Sequence, residues 1–172
     1  MTTTHSLIGV AALALCVATN VHAESHRPFY LMGGIDYLTA DARELTTKRG
    51  IHAGFGYVSN ESGIIGSSGV DLDWRHAAND HGNRIDSFSS CYSERAYIDQ
   101  LYLGFGIGSV YNRVEIQDPA GRVRSHSWRP MGKAMIGYAI GWDLIVEAGY
   151  YYTGKQSGVN TNGITLSAGV WF

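Results

Sequence analysis

Leu101-Tyr102-Leu103-Gly104-Phe105-Gly106-Ile107-Gly108-Ser109-Val110-Tyr111 is the stretch that decides the fold. Leu101, Leu103, Phe105, Ile107 and Tyr111 occupy one set of alternate positions, and Tyr102, Gly104, Gly106 and Gly108 the other. Side chains of a strand point to its two faces in turn, so a period of two describes a strand with one oily face and one of glycine and tyrosine. A helix, with 3.6 residues per turn, would scatter both sets around its axis.

The same period recurs on either side. Phe29, Leu31, Gly33, Ile35 and Tyr37 oppose Tyr30, Met32, Gly34 and Asp36; Ile51, Ala53, Phe55 and Tyr57 oppose His52, Gly54 and Gly56. Ile64, Val70, Leu72 and Trp74 alternate with Ser67, Gly69, Asp71 and Asp73. Further on, Ala134, Ile136, Tyr138 and Ile140 oppose Lys133, Met135, Gly137 and Ala139, and Leu144, Val146, Ala148, Tyr150 and Tyr152 oppose Ile145, Glu147, Gly149 and Tyr151. Ile164, Leu166, Ala168, Val170 and Phe172 close the series against Thr165, Ser167, Gly169 and Trp171. These make seven strands. Ser87–Ile98 is the candidate for an eighth, a poor one, because adjacent Glu94 and Arg95 send one charge outward in either register.

Which face points outward decides the class. A soluble barrel would turn the apolar face inward. The opposite face here is glycine, serine and tyrosine with isolated charges at Asp36, Asp73, Lys133 and Glu147, a poor solvated surface but a suitable lining for a narrow lumen. Leu101, Leu103, Phe105, Ile107, Ile136 and Val146 are then expected to face lipid. The expectation is an all-β, eight-stranded antiparallel up-and-down transmembrane β-barrel.

Connection lengths agree with it. Residues 38–49, 75–87, 117–127 and 154–161 are polar and long, while residues 60–63, 99–100 and 141–143 are short. Long loops on one side and tight turns on the other is the barrel layout. Tyr37, Trp74, Tyr111, Trp128 and Tyr152 fall near the outer rim, and Phe29, Tyr57, Tyr138, Trp142 and Phe172 near the inner one, as two aromatic girdles require.

Residues 1–23 read as a secretory signal peptide and residues 24–172 as the barrel domain. The apolar run Leu7–Ala18 is too short to span a bilayer, and Val21-His22-Ala23 predicts cleavage before Glu24, although the preceding region carries only His5 and no Lys or Arg. The remaining cysteine, Cys91, cannot form an internal disulfide. A formal net charge of -2 argues against nucleic acid as a partner. Composition alone, with 45% hydrophobic and 16% charged residues, announces no membrane protein, because alternation hides the apolar face.

Two stretches carry a family resemblance. Leu101–Tyr111 resembles the glycine-alternating strand of opacity-type, OmpA/OmpX-like small outer-membrane barrels. Gly163–Phe172 is similar to the terminal strand read by the barrel-assembly machinery, with Leu166, Ala168, Val170 and the aromatic Phe172 matching its alternation. The resemblance implies a bacterial outer-membrane location, no catalysis and no cofactor. It also implies a monomer with a filled lumen, and loops that contact a host or phage surface ligand or a body that serves the envelope. With the sequence ending at the barrel, no periplasmic domain of the two-domain OmpA type is expected.

Different functions were weighed on residues. A lipid-A deacylase needs His and Ser two residues apart on the lipid side of one strand with an acid nearby. His126-Ser127 are adjacent and face opposite ways. A palmitoyltransferase needs an N-terminal amphipathic helix, for which residues 24–28 leave no room. A small-solute channel conflicts with the narrowness of eight strands. His76, Asp80 and His81 match no tight zinc motif, so no metal is expected. Lys48, Arg49, Arg122 and Arg124 fall in or beside outer loops, where they are expected to touch lipopolysaccharide phosphates. Cys91 reads as a small residue in a weak strand, with no acid or base to activate it.

Overall fold

The computed structural model describes residues 27–46, 49–62, 66–118, 121–141, 143–156 and 158–172. Eight long strands form a closed barrel: β1 (Phe29–Leu38), β2 (Gly50–Ser62), β3 (Ser67–Ala78), β4 (Arg84–Ile98), β5 (Leu101–Asp118), β6 (Gly121–Ile140), β7 (Leu144–Tyr152) and β10 (Gly163–Trp171). A short helix, α1 (Ala40–Leu45), joins β1 to β2, and a small hairpin of β8 (Lys155–Gln156) and β9 (Val159–Asn160) lies between β7 and β10. Every pairing is antiparallel, and β10 closes the sheet against β1 from Tyr30↔Trp171 to Leu38↔Gly163.

The register sets the barrel's dimensions. A row of paired residues begins at Pro28, whose carbonyl accepts the Val58 N–H at 2.7 Å. It runs through Gly69, Ser93, Gly106, Lys133, Tyr151 and Gly163 and regains β1 at Leu38, ten residues beyond its start. Such a stagger over eight strands means a tilt of about 40° and a bore that side chains can fill.

Alternation then sorts the side chains. Leu103, Phe105 and Ile107 point outward, 49%, 46% and 66% exposed, as do Leu72, Ile136, Val146 and Leu166. Inward lie Tyr30, Met32, Tyr102 and Met135 together with the charged residues. Three lumen tyrosines are seated by glycines on neighbouring strands. A Cβ on Gly56 would fall 2.1 Å from the Tyr30 ring, one on Gly137 2.1 Å from Tyr102, and one on Gly163 2.3 Å from the Tyr151 hydroxyl. The glycine-rich face is therefore the floor on which the tyrosine rings lie.

Four sequence expectations need correction. β4 is a full strand beginning at Arg84, not a weak one beginning at Ser87. Its signal is faint because serine occupies both faces. Arg95 enters the lumen, and Glu94, on the other face, is buried and accepts a hydrogen bond from the Tyr92 hydroxyl. Residues 75–87 and 117–127 are not loops, since β3 runs to Ala78, β4 starts at Arg84, and β5 and β6 pair up to Asp118↔Gly121. Past the aromatic residues at the strand ends the outward face turns polar and hydropathy alternation vanishes, yet neighbouring strands keep pairing their backbones. Residues 38–49 include α1, whose Ala42 packs with Leu38, Ala77, Ile85, Val114 and Val159 over the mouth of the barrel. The predicted signal peptide, Ile64, Pro119, Ala120 and Trp142 lie outside the described residues.

Candidate functional site

The lumen holds a dense ionic network. Arg95, from β4, donates to Asp71 at 2.9 Å and to the Tyr30 hydroxyl at 2.7 Å, and Tyr30 in turn donates to Asp71. Lys133, from β6, stands 3.5 Å from Asp71, 3.5 Å from Asp73 and 3.3 Å from Glu147. Tyr102 donates to Glu147 at 2.6 Å, Tyr151 donates to Asp36, and the Arg75 guanidinium lies 3.3 Å from the centre of the Tyr151 ring. Apolar layers close the network at both ends, one built on Tyr30, Met32, Tyr102, Met135 and Ile145, the other on Leu38, Ala42, Ile85, Val114 and Val159. A space of about 10 Å³ lies within the network, lined in part by His52, Asp73, Arg75 and Lys133.

Within that network stands a Ser–His–acid group that the sequence did not reveal. His52 Nδ1 lies 2.6 Å from Ser167 Oγ, and its Nε2 lies 2.8 Å from Asp73 Oδ1. His52 and Asp73 come from the adjoining β2 and β3, and Ser167, from β10, joins them only through barrel closure, so no local spacing announces the group. They face the lumen and not lipid, and all three are buried. Asp73 also serves Lys133, and the adjoining space holds no acyl chain.

On the outer wall, the register aligns side chains from four adjoining strands. Trp74, Phe88, Tyr111 and Trp128 form one row across β3, β4, β5 and β6. Two residues further toward the mouth, the same strands place His76, Asp86, Arg113 and His126; two further again come Ala78, Arg84, Glu115 and Arg124. Arg122 lies beyond, opposite Gln117. Asp86 is buried between His76, at 2.7 Å, and Arg84. Glu115 is buried among Arg113, Arg124 at 3.4 Å and Arg122 at 3.8 Å. Burial alone would raise the Glu115 pKa, but the hydrogen bond and charge of Arg113, with the charges of Arg124 and Arg122, outweigh it and hold the carboxyl below its ordinary range. Its ion pairs are thus complete above the ordinary carboxylate pKa and are lost as pH falls through the lowered one. An open groove of about 540 Å³ runs between Trp74, His76, Arg84, Asp86, Phe88, Tyr111 and Arg113.

The expected site residues are distributed as follows. Asp36, Asp73, Lys133 and Glu147 are in the lumen network. Leu101, Leu103, Phe105, Ile107, Ile136 and Val146 are on the outward face. Leu166 and Ala168 are exposed on β10, Val170 is covered, and Phe172 packs 6.2 Å from Phe29. Arg122 and Arg124 are on a paired ribbon and not in a loop; Arg49 lies over the Tyr37 ring, and Lys48 lies outside the described residues. His76 bonds to Asp86, and His81 takes part in a turn with Asn79. Cys91 is buried between Val110 and Met131. Arg84, Asp86, Arg113 and Glu115 escaped the sequence reading. Their signal was the period of two itself, continued past each strand's last aromatic residue as charge in place of oil.

No family model matches the chain, and no curated protein matches it in sequence. Among solved structures it is similar to the N-terminal β-barrel domain of Pseudomonas aeruginosa OprF, with a TM-score of 0.63 and 10% identity over 86% of this chain and 98% of that one. It is similar to Ail, the attachment invasion locus protein of Yersinia pestis, with a TM-score of 0.60 and 14% identity over 84% of this chain and 97% of that one. Neisserial surface protein A gives 0.56 and 16%, over 83% and 94%. At these identities the likeness establishes the fold, that of small eight-stranded outer-membrane barrels.

Proposed function

We propose that this chain is an exported, non-catalytic barrel of the bacterial outer membrane, serving the envelope through its body and surface contact through its extracellular end. The observation that carries this reading is the outward apolar belt. A closed sheet with Leu72, Leu103, Phe105, Ile107, Ile136 and Leu166 on its exterior, and its ions paired inside, suits acyl chains and not water. The fold likeness to a surface protein and an attachment protein supports the same role. Leu166, Ala168, Val170 and Phe172 would be read by the assembly machinery, and the signal peptide would be removed on export. A host or phage ligand would meet the extracellular ends of β3–β6, and the barrel would act as a monomer.

The filled lumen argues against a solute channel. An enzyme would have to use His52, Ser167 and Asp73, and the space of about 10 Å³ beside them is room for one water and not a substrate. Electrophoresis after membrane fractionation tests the reading. The chain should enrich with outer membranes and change mobility between unboiled and boiled samples; a single unaltered band in the soluble periplasm would overturn it.

A further inference from the structure

We infer that the outer wall of β3–β6 is a binding surface for an acylated, phosphorylated sugar lipid of the outer leaflet, a lipid A headgroup, gripped by Arg84, Arg113, Arg122 and Arg124. The inference deepens the outer-membrane reading and rests on it.

Three observations point to this ligand. The first is depth. The row Trp74, Phe88, Tyr111 and Trp128 marks the level where apolar rings with polar tips prefer to sit, the membrane interface. The first charged row lies two residues beyond, roughly 7 Å further along each strand, which is headgroup depth. Polar residues that served only solvation would be spread around the mouth; these four arginines share one panel of adjoining strands.

The second is charge. Four guanidiniums face two carboxylates on this panel. Asp86 and Glu115 are buried beneath the arginines, whose side chains remain 42–58% exposed. Each guanidinium carries five N–H donors in a planar fork, so contact with a carboxylate leaves other donors aimed outward. The carboxylates hold the forks in place, and the surplus of positive charge faces the leaflet. Phosphate monoesters on a sugar match that array bidentately.

The third distinguishes a lipid from a soluble polyanion. Immediately below the aromatic row the outward residues of β4–β6 are small, with Leu72 beside them on β3: Ser90 and Ser109 pair across β4 and β5 next to Pro130, all of them exposed. Below these lie Ile107 and Phe105, paired with Tyr92 and Glu94 of β4, whose carboxylate is buried under the Tyr92 hydroxyl. The wall therefore presents, in order of depth, guanidiniums, aromatic rings, a shallow step with two hydroxyls, and an oily surface. That order is the order of phosphate, sugar, ester linkage and acyl chain in one amphiphile.

The test uses the mature barrel inserted in phosphatidylcholine nanodiscs. Retention of bis-phosphorylated lipid A and of phosphate-free lipid A is compared by native mass spectrometry, for the parent chain and for the Arg84→Gln/Arg113→Gln and Arg122→Gln/Arg124→Gln variants. The parent is expected to retain the phosphorylated lipid at least tenfold better, and each folded variant to lose most of that preference. Equal retention of both lipids by the parent, an experiment that needs no variant to fold, overturns the inference; so does unchanged preference in variants that keep their heat-modifiable mobility. Displacement of the lipid by millimolar pyrophosphate or by heparin would make this a soluble-polyanion site and overturn it as well. A chain that fails to insert in nanodiscs removes the outer-membrane reading, whereas insertion without lipid preference removes this inference alone.

Discussion

Arg95 is the bulkiest of the fully buried side chains among the described residues, and its surroundings account for its presence there. An unpaired guanidinium in such a place would cost several kcal/mol of lost hydration. Asp71 and the Tyr30 hydroxyl answer it from β3 and β1, so one side chain fixes three strands in register. Removing it leaves Asp71 with Lys133 at 3.5 Å, the Tyr30 hydroxyl and the weakly donating Cys91 thiol at 3.9 Å. Arg95→Met is expected to lower stability by roughly 3–5 kcal/mol, and Arg95→Met/Asp71→Asn to recover more than half of it. Urea titration of reversible folding into lipid vesicles measures both. A double variant no better than the single one would show that Arg95 acts by shape and not by charge.

At the scale of the strand, what matters is which glycines are open and which carry a ring. Gly137 lies under Tyr102 and has no room for a side chain, whereas an added Cβ at Gly132, five residues earlier on β6, meets nothing within 4 Å. Gly137→Val should therefore displace Tyr102 from Glu147 and reduce the folded fraction seen by unboiled electrophoresis, while Gly132→Ala should stay within about 0.5 kcal/mol of the parent. The same contrast shows what the sequence could disclose. Alternation from Leu101 to Tyr111 carried the strand, its faces and the class of fold, because lipid demands oil on one side of every spanning segment. It failed at residues 75–87 and 117–127, where the outward face turns polar while Ala77 and Ile85 still pack inward, so the oily-outside alternation is lost. It placed His52, Asp73 and Ser167 on inner faces but was silent on their meeting, because Ser167 reaches the other two only where β1 and β10 close the sheet. The arginine panel was half legible: Arg122 and Arg124 were noticed as cations, but their alignment with Arg84 and Arg113 is a property of register, which a single strand does not contain.

At the scale of the whole molecule, the strands close into a cylinder. An ionic layer occupies its middle, with an apolar layer on either side and α1 over the mouth. On this layering, the purified barrel in a planar bilayer is expected to give no steady open-channel current. Discrete, long-lived conductance steps would mean that α1 and the Leu38, Ile85, Val114 and Val159 layer move aside. The seam between β1 and β10 has a consequence for how the cylinder is made. It joins Tyr30 to Trp171, partners separated by nearly the whole chain, so any intermediate lacking β10 displays two raw sheet edges and an unclosed ring of buried charge. Such a species has no sheltered half-way form in which to wait. On the proposed outer-membrane reading, the polypeptide would cross the periplasm unfolded under escort and commit to its final shape in one step at the membrane.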